Sequence, residues 1–95
     1  MYIELETDGT IIKVETISAI SVVTHNEFTE CVFFTIFLQG GKEIMVGCGD
    51  LSWFDIEATS ENIATVKRDR ALVVKAFKAA NEEFTNFSYT EDGGL

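Results

Sequence analysis

Cys31 to Leu38 reads Cys-Val-Phe-Phe-Thr-Ile-Phe-Leu, an apolar run interrupted only by Thr35. Its aromatic and β-branched residues fit a pleated strand. A strand with one face in water alternates apolar and polar residues, whereas burial on both faces erases the alternation. Gly40-Gly41 follows and leads into Glu43 to Cys48, which makes the two runs a hairpin around a tight turn. With a two-residue turn, Phe33 pairs with Cys48, Thr35 with Val46 and Phe37 with Ile44. Val32, Phe34, Ile36 and Leu38 then occupy the other face, with Met45 beside them. Both faces are apolar. The chain's own helix can cover one of them, and the second calls for a closed barrel or another subunit.

Upstream, Asp8-Gly9 stands between two alternating runs and supplies the positive φ angles of a two-residue turn. Leu5 then faces Ile12, Ile3 faces Val14 and Glu4 faces Lys13. Ala19 to Thr24 reads as a third strand after a kink at Thr16 to Ser18, with His25-Asn26-Glu27 as the loop that follows. Downstream, Ser60 is a candidate N-cap, and Glu61 to about Phe84 contains neither Gly nor Pro. Ile63, Val66, Val73, Val74, Phe77, Ala80 and Phe84 fall on one side at 100° per residue. Such a helix outruns a small sheet, which leaves open whether it is broken near Lys67 to Arg70. Residues 1–87 form one domain, and 88–95 form a polar acidic tail.

These elements predict an α+β fold, in which a five-stranded antiparallel meander, strongly twisted or curled, is packed by a C-terminal helix. The order of strands followed by helix resembles, in outline, the small pleckstrin-homology-like domains of bacterial and phage proteins. That resemblance covers strand order only, rests on no motif and transfers no residues. Function does not follow from such an outline.

Composition narrows the class of activity. The chain of 95 residues has a formal charge of −9 and eight Phe. Its apolar and aromatic content separates it from disordered acidic chains. It has no apolar run of the length a membrane helix needs, and Met1 to Asp8 is acidic where an export leader would be basic. The chain therefore reads as soluble, and two cysteines, too few to staple a secreted scaffold, place it in the cytoplasm. Residues 1–66 hold 11 acids and 2 bases, 67–80 hold 5 bases and 1 acid, and the last fifteen contribute −4. An acidic surface repels phosphate, so direct nucleic-acid binding is not expected, and a protein partner, particularly a basic one, is.

Candidate chemistry is sparse. His25 is the only histidine and sits in a polar segment without a neighbouring nucleophile or orienting acid. Cys31 and Cys48 share one facing of the second hairpin, diagonal to one another, and read as small core hydrophobes. Gly47-Cys48-Gly49-Asp50 lacks the lysine and hydroxyl of a phosphate loop; its glycines instead suit a strand end that bends or receives a bulky neighbour. No His, Cys and carboxylate spacing matches a metal site, and no cofactor is implied. Arg70 falls within the helix's apolar stripe and needs a partner or a route to water.

The expectation is a non-enzymatic, acidic protein-binding module, homodimeric and acting by protein–protein interaction. Self-association is expected at Val32, Phe34, Ile36, Leu38 and Met45. Glu4, Glu6, Asp8 and Glu15 form the expected acidic partner face, and Trp53 and Phe54 are candidate aromatic anchors. Two alternatives remain open: an inhibitor that mimics nucleic-acid charge in a basic cleft, and an apolar-ligand binder with a curled sheet around a cavity.

Overall fold

The structure is a computed structural model and describes residues 1–49 and 54–81. Antiparallel strands are followed by one helix, an α+β architecture. β1 (Tyr2–Glu4) and β2 (Ile11–Lys13) form a hairpin. A 3-10 turn over Val14–Thr16 leads to β3 (Ile17–Ile20), and β4 (Thr24–Asn26), β5 (Cys31–Leu38) and β6 (Glu43–Cys48) follow. α1 (Ser60–Ala80) closes the order. The strands do not join into one meander: β1 and β2 form their own sheet, because the 3-10 turn separates β2 from β3.

The third expected strand is a bent one. β3 and β4 both pair with the same side of β5, with Ile20 opposite Ile36 and Thr24 opposite Phe33. Between these two pairs the register slips by one residue, and the irregularity falls at Ser21 to Val23. At this bulge the Ser21 N–H donates to the Thr35 carbonyl at 2.9 Å. The return bond is made by the Ser21 side chain, whose Oγ accepts from the Thr35 N–H at 2.8 Å. The Ser21 carbonyl is thereby released from the ladder, and Arg70 Nε on α1 donates to it at 2.7 Å. His25 and Asn26, expected in a loop, belong to β4.

β5 and β6 span the residues expected, but their register differs by one. Phe34 faces Val46, Ile36 faces Ile44 and Val32 faces Cys48. The turn has three residues, Gln39-Gly40-Gly41, and the Leu38 N–H donates to the Lys42 carbonyl at 2.8 Å across it. Gly40 and Gly41 take φ of 88° and 84°, where a side chain would be strained. Because side chains alternate, a slip of one residue exchanges the faces of β6 relative to β5. The first hairpin is also shifted, with Ile3 opposite Ile12, but by two residues, so Leu5, Ile12 and Val14 still share the buried side.

α1 covers the inner face. Thr59, not Ser60, is the N-cap: its Oγ1 accepts from the Asn62 N–H at 3.1 Å. The helix runs unbroken through Lys67 to Arg70. Val66, Val73 and Ala76 pack on Leu5, Ile12, Val14, Ile17, Val32, Phe34, Ile36, Val46 and Cys48. At the centre of this apolar stripe lies Asp69, with 1% exposure. A buried carboxylate costs several kcal/mol unless hydrogen bonds replace its water. Here Oδ1 accepts from the Glu6 N–H at 2.9 Å and Oδ2 from the Thr7 N–H at 2.8 Å, with the Thr7 hydroxyl donating to Oδ2 as well. The helix thereby holds the turn between β1 and β2.

Two stability tests follow. Asp69→Ala strands two amide donors against the helix and is expected to cost about 3 kcal/mol in urea unfolding, with Thr7→Val costing about 1 kcal/mol. Gly47→Ala is expected to cost about 2 kcal/mol or more, because its Cβ would lie 2.5 Å from Phe33 Cβ and 2.6 Å from the Val32 carbonyl oxygen. Equal stability of Asp69→Ala and wild type would remove the polar clamp from this account.

Candidate functional site

The one-residue register shift separates the expected self-association residues. Val32, Phe34 and Ile36 are buried under α1, and Leu38 is half-buried against the same core. They are therefore core residues. Met45 lies on the other side of the sheet, opposite Thr35, and is 44% exposed.

The outer face is covered in part by the chain itself, a solution that needs neither a closed barrel nor a subunit at that end. After β6 the chain returns, and the Gly49 N–H donates to the Ile56 carbonyl at 2.8 Å. Phe54 sets its ring 6.3 Å from that of Phe33 at an interplanar angle of 33°. Gly47 and Gly49 let β6 and the residue after it lie close against β5, since a Cβ on Gly49 would lie 2.3 Å from Cys31 Sγ and one on Gly47 2.5 Å from Phe33 Cβ.

Where this cover ends, a cleft of about 410 Å³ opens, lined by Met45, Gly47, Phe54 and Ile56 together with Asp8 and Asp55. Asp8 is brought there by the β1–β2 turn. That turn is fixed by Asp69 and by a hydrogen bond of 3.0 Å from the Thr10 N–H to Asp8 Oδ1. The cleft thus gathers Met45, Asp8 and Phe54, each from a different expected surface. Among the described residues its lining has an apolar floor, two carboxylates and no cation. A long aliphatic side chain ending in a positive charge matches both parts: its stem meets the apolar floor and its head meets the carboxylates. Trp53 lies outside the described residues.

The remaining acidic candidates are separated. The Met1 ammonium donates to both Glu15 oxygens at 2.9 Å, and this pairing holds the Glu15 carboxyl below its ordinary pKa. The sign makes the contribution present above the unfolded-state value and lost as pH falls through the folded one. Glu6 pairs with Arg68 at 3.2 Å. Glu4 stands exposed on β1, and neither it nor Asp8 forms an ion pair among the described residues.

Arg68 and Arg70 are likewise engaged, so the cationic side of α1 reduces to Lys67, Lys75 and Lys78. His25 is exposed on β4 opposite Val32, in a recess with Glu27 and Glu30. The cysteines occupy opposite faces of the sheet, a correction that follows from the same register shift: Cys48 faces Val32 in the core, and Cys31 lies under Gly49. Both are free and buried, and burial, reinforced by Cys31, pushes the Cys48 thiol pKa up. Cys31 Sγ donates to the Thr29 carbonyl at 3.5 Å. Among the described residues no three His, Cys, Asp or Glu side chains gather as a metal site, and no helix is long and apolar enough to cross a membrane.

Two features were missed in the sequence. Asp69 carried a signal, since it follows Val66 by three residues and precedes Val73 by four, the spacing of the buried stripe. Phe28 carried none. It is 101% exposed at the β4–β5 turn, where Asn26 Oδ1 accepts from the Phe28 and Thr29 amides at 3.0 and 3.3 Å.

No family model, no curated protein and no solved structure matches the chain.

Thiol chemistry tests the burial directly. Titration with an aromatic disulfide reagent is expected to find no fast-reacting thiol in the native protein and both thiols in guanidinium, because the thiolate is the reactive form and both sulfurs are buried. A fast-reacting native thiol would place a cysteine at the surface.

Proposed function

We propose that this chain is a small, non-enzymatic, acidic protein-binding module whose outer-face cleft receives a basic side chain of its partner. Its setting on this reading is the cytoplasm, where two buried thiols stay reduced. The observation that supports the reading is the convergence of Asp8 and Asp55 with Met45, Gly47, Phe54 and Ile56 in one cleft. An apolar floor with carboxylates and, among the described residues, no cation selects against anions, and suits a lysine or arginine presented by a protein.

Charge mimicry of nucleic acid has less support, since Glu6 and Glu15, half of the acidic row it would use, are engaged within the chain. Enclosure of an apolar ligand also has less support. The sheets do not close, and Phe34, Ile36, Val46, Val66 and Val73 pack against each other without exposure.

The test uses a fluorescent peptide of about six lysines. Asp8→Asn with Asp55→Asn is expected to weaken binding about fivefold, the effect of roughly 1 kcal/mol from two partly exposed charges. Glu27→Gln with Glu30→Gln removes the same charge elsewhere and is expected to change affinity little. Equal weakening by the two pairs would mean that bulk charge alone attracts the peptide, and the cleft reading would fall.

A further inference from the structure

We infer that the cleft's occupant is the lysine face of α1 on a second copy of this chain. The inference rests on the reading that the cleft takes a basic side chain, and adds which protein supplies it.

Lys67, Ala71, Lys75 and Lys78 are all exposed, and at 100° per residue they fall within about 80° of one another. This face points away from Val66, Asp69 and Val73, which enter the core. Its lysines form no ion pair among the described residues, unlike Arg68, which is held by Glu6. Ala64, Ala71 and Ala79 are exposed on or beside this face, and small residues let a helix approach a neighbour closely. Lys13 and Lys42, the remaining lysines, stand singly on separate hairpins. The lysine face is therefore the one concentrated positive surface among the described residues. The cleft offers what it lacks, two carboxylates over an apolar floor, and among the described residues no cation of its own chain occupies the lining. Two copies of net charge −9 repel on average, and a contact that brings opposite signs together offsets that repulsion.

Placement decides the symmetry. α1 packs on the inner face of the sheet, while Met45 and Gly47 belong to the outer face. Helix face and cleft thus lie on opposite sides of the molecule. A contact between them is heterologous, and leaves a free helix at one end and a free cleft at the other. Such contacts close into a ring or continue as a chain, and do not stop at a pair.

Sedimentation equilibrium at fixed ionic strength, to about 1 mM as suits a small transient interface, tests this. The wild-type mass is expected to rise with concentration past twice the 10.6 kDa of one chain. A helix variant (Lys67→Glu, Lys75→Glu, Lys78→Glu) and a cleft variant (Asp8→Asn, Asp55→Asn) are each expected to stay monomeric. Mixed at equal concentration, they are expected to form one-to-one pairs and nothing larger, since the helix variant keeps its cleft and the cleft variant keeps its helix. Ala71→Glu, a single change at the centre of the helix face, is expected to lower wild-type association without altering the circular dichroism melt.

Wild-type protein that stays monomeric, or that stops at a dimer, overturns the inference. So does a mixture that forms no pairs. If the lysine peptide still binds and is weakened by the cleft variant, the cleft reading stands and only the second copy is removed. If the peptide result fails too, both fall together.

Discussion

The carboxylate of Asp69, buried at the middle of α1, holds the two sheets in one body. The apolar stripe of the helix supplies most of the driving force, but apolar contact is non-directional and does not fix where a small hairpin must sit. β1 and β2 contribute three residues each to their ladder, too little to be independently stable. Asp69 adds direction by accepting the amides of Glu6 and Thr7. The exchange is reciprocal, since the carboxylate needs donors in place of water and the turn needs acceptors for two amides. Arg70 does the complementary work one residue later. It donates to the Ser21 carbonyl, which the bulge has released from the sheet, and so ties the bent third strand to the same turn of helix.

The cleft depends on this clamp. Asp8 follows Thr7 directly, so fixing the Thr7 amide to the helix sets where the Asp8 carboxylate emerges. Phe54, Asp55 and Ile56 arrive from the other side, positioned by the bond between Gly49 and Ile56 and by the contact of Phe54 with Phe33. The missing side chains of Gly47 and Gly49 give Cys31 and Phe33 of β5 room beneath them. Charge is sorted by the same arrangement. Arg68 and Glu6 neutralise one another beside the clamp, while the lysines remain on the far side of the helix.

The α+β class, the ends of β5 and β6 and the single C-terminal helix were legible because long apolar runs and 3.6-residue periodicity are strong signals. What failed was arithmetic at turns. Reading Gly40-Gly41 as the whole turn left out Gln39, and that one residue moved Ile44, Val46 and Cys48 onto the face of Val32, Phe34 and Ile36, and Met45 onto the other. The error at Asp8-Gly9 was two residues, so the faces of the first hairpin survived it. The spacing of Asp69 on the buried stripe was legible but its partners were not, because two of its three donors are backbone amides more than sixty residues away, which leave no mark on residue type. Arg70 did leave one, as a charge on an apolar stripe, although its carbonyl partner did not. Of the site, Asp8, Met45 and Phe54 had each been singled out, but their convergence depends on tertiary placement.

Native-state hydrogen exchange at the amides of Glu6 and Thr7 tests the central claim most directly. If Asp69 clamps the turn to the helix, these amides open only when the whole domain unfolds, and their protection matches that of the β5 amides in the core. Exchange at Glu6 and Thr7 at the rate of an unprotected loop, while β5 stays protected, would show a hairpin that moves independently of the helix and would contradict the account.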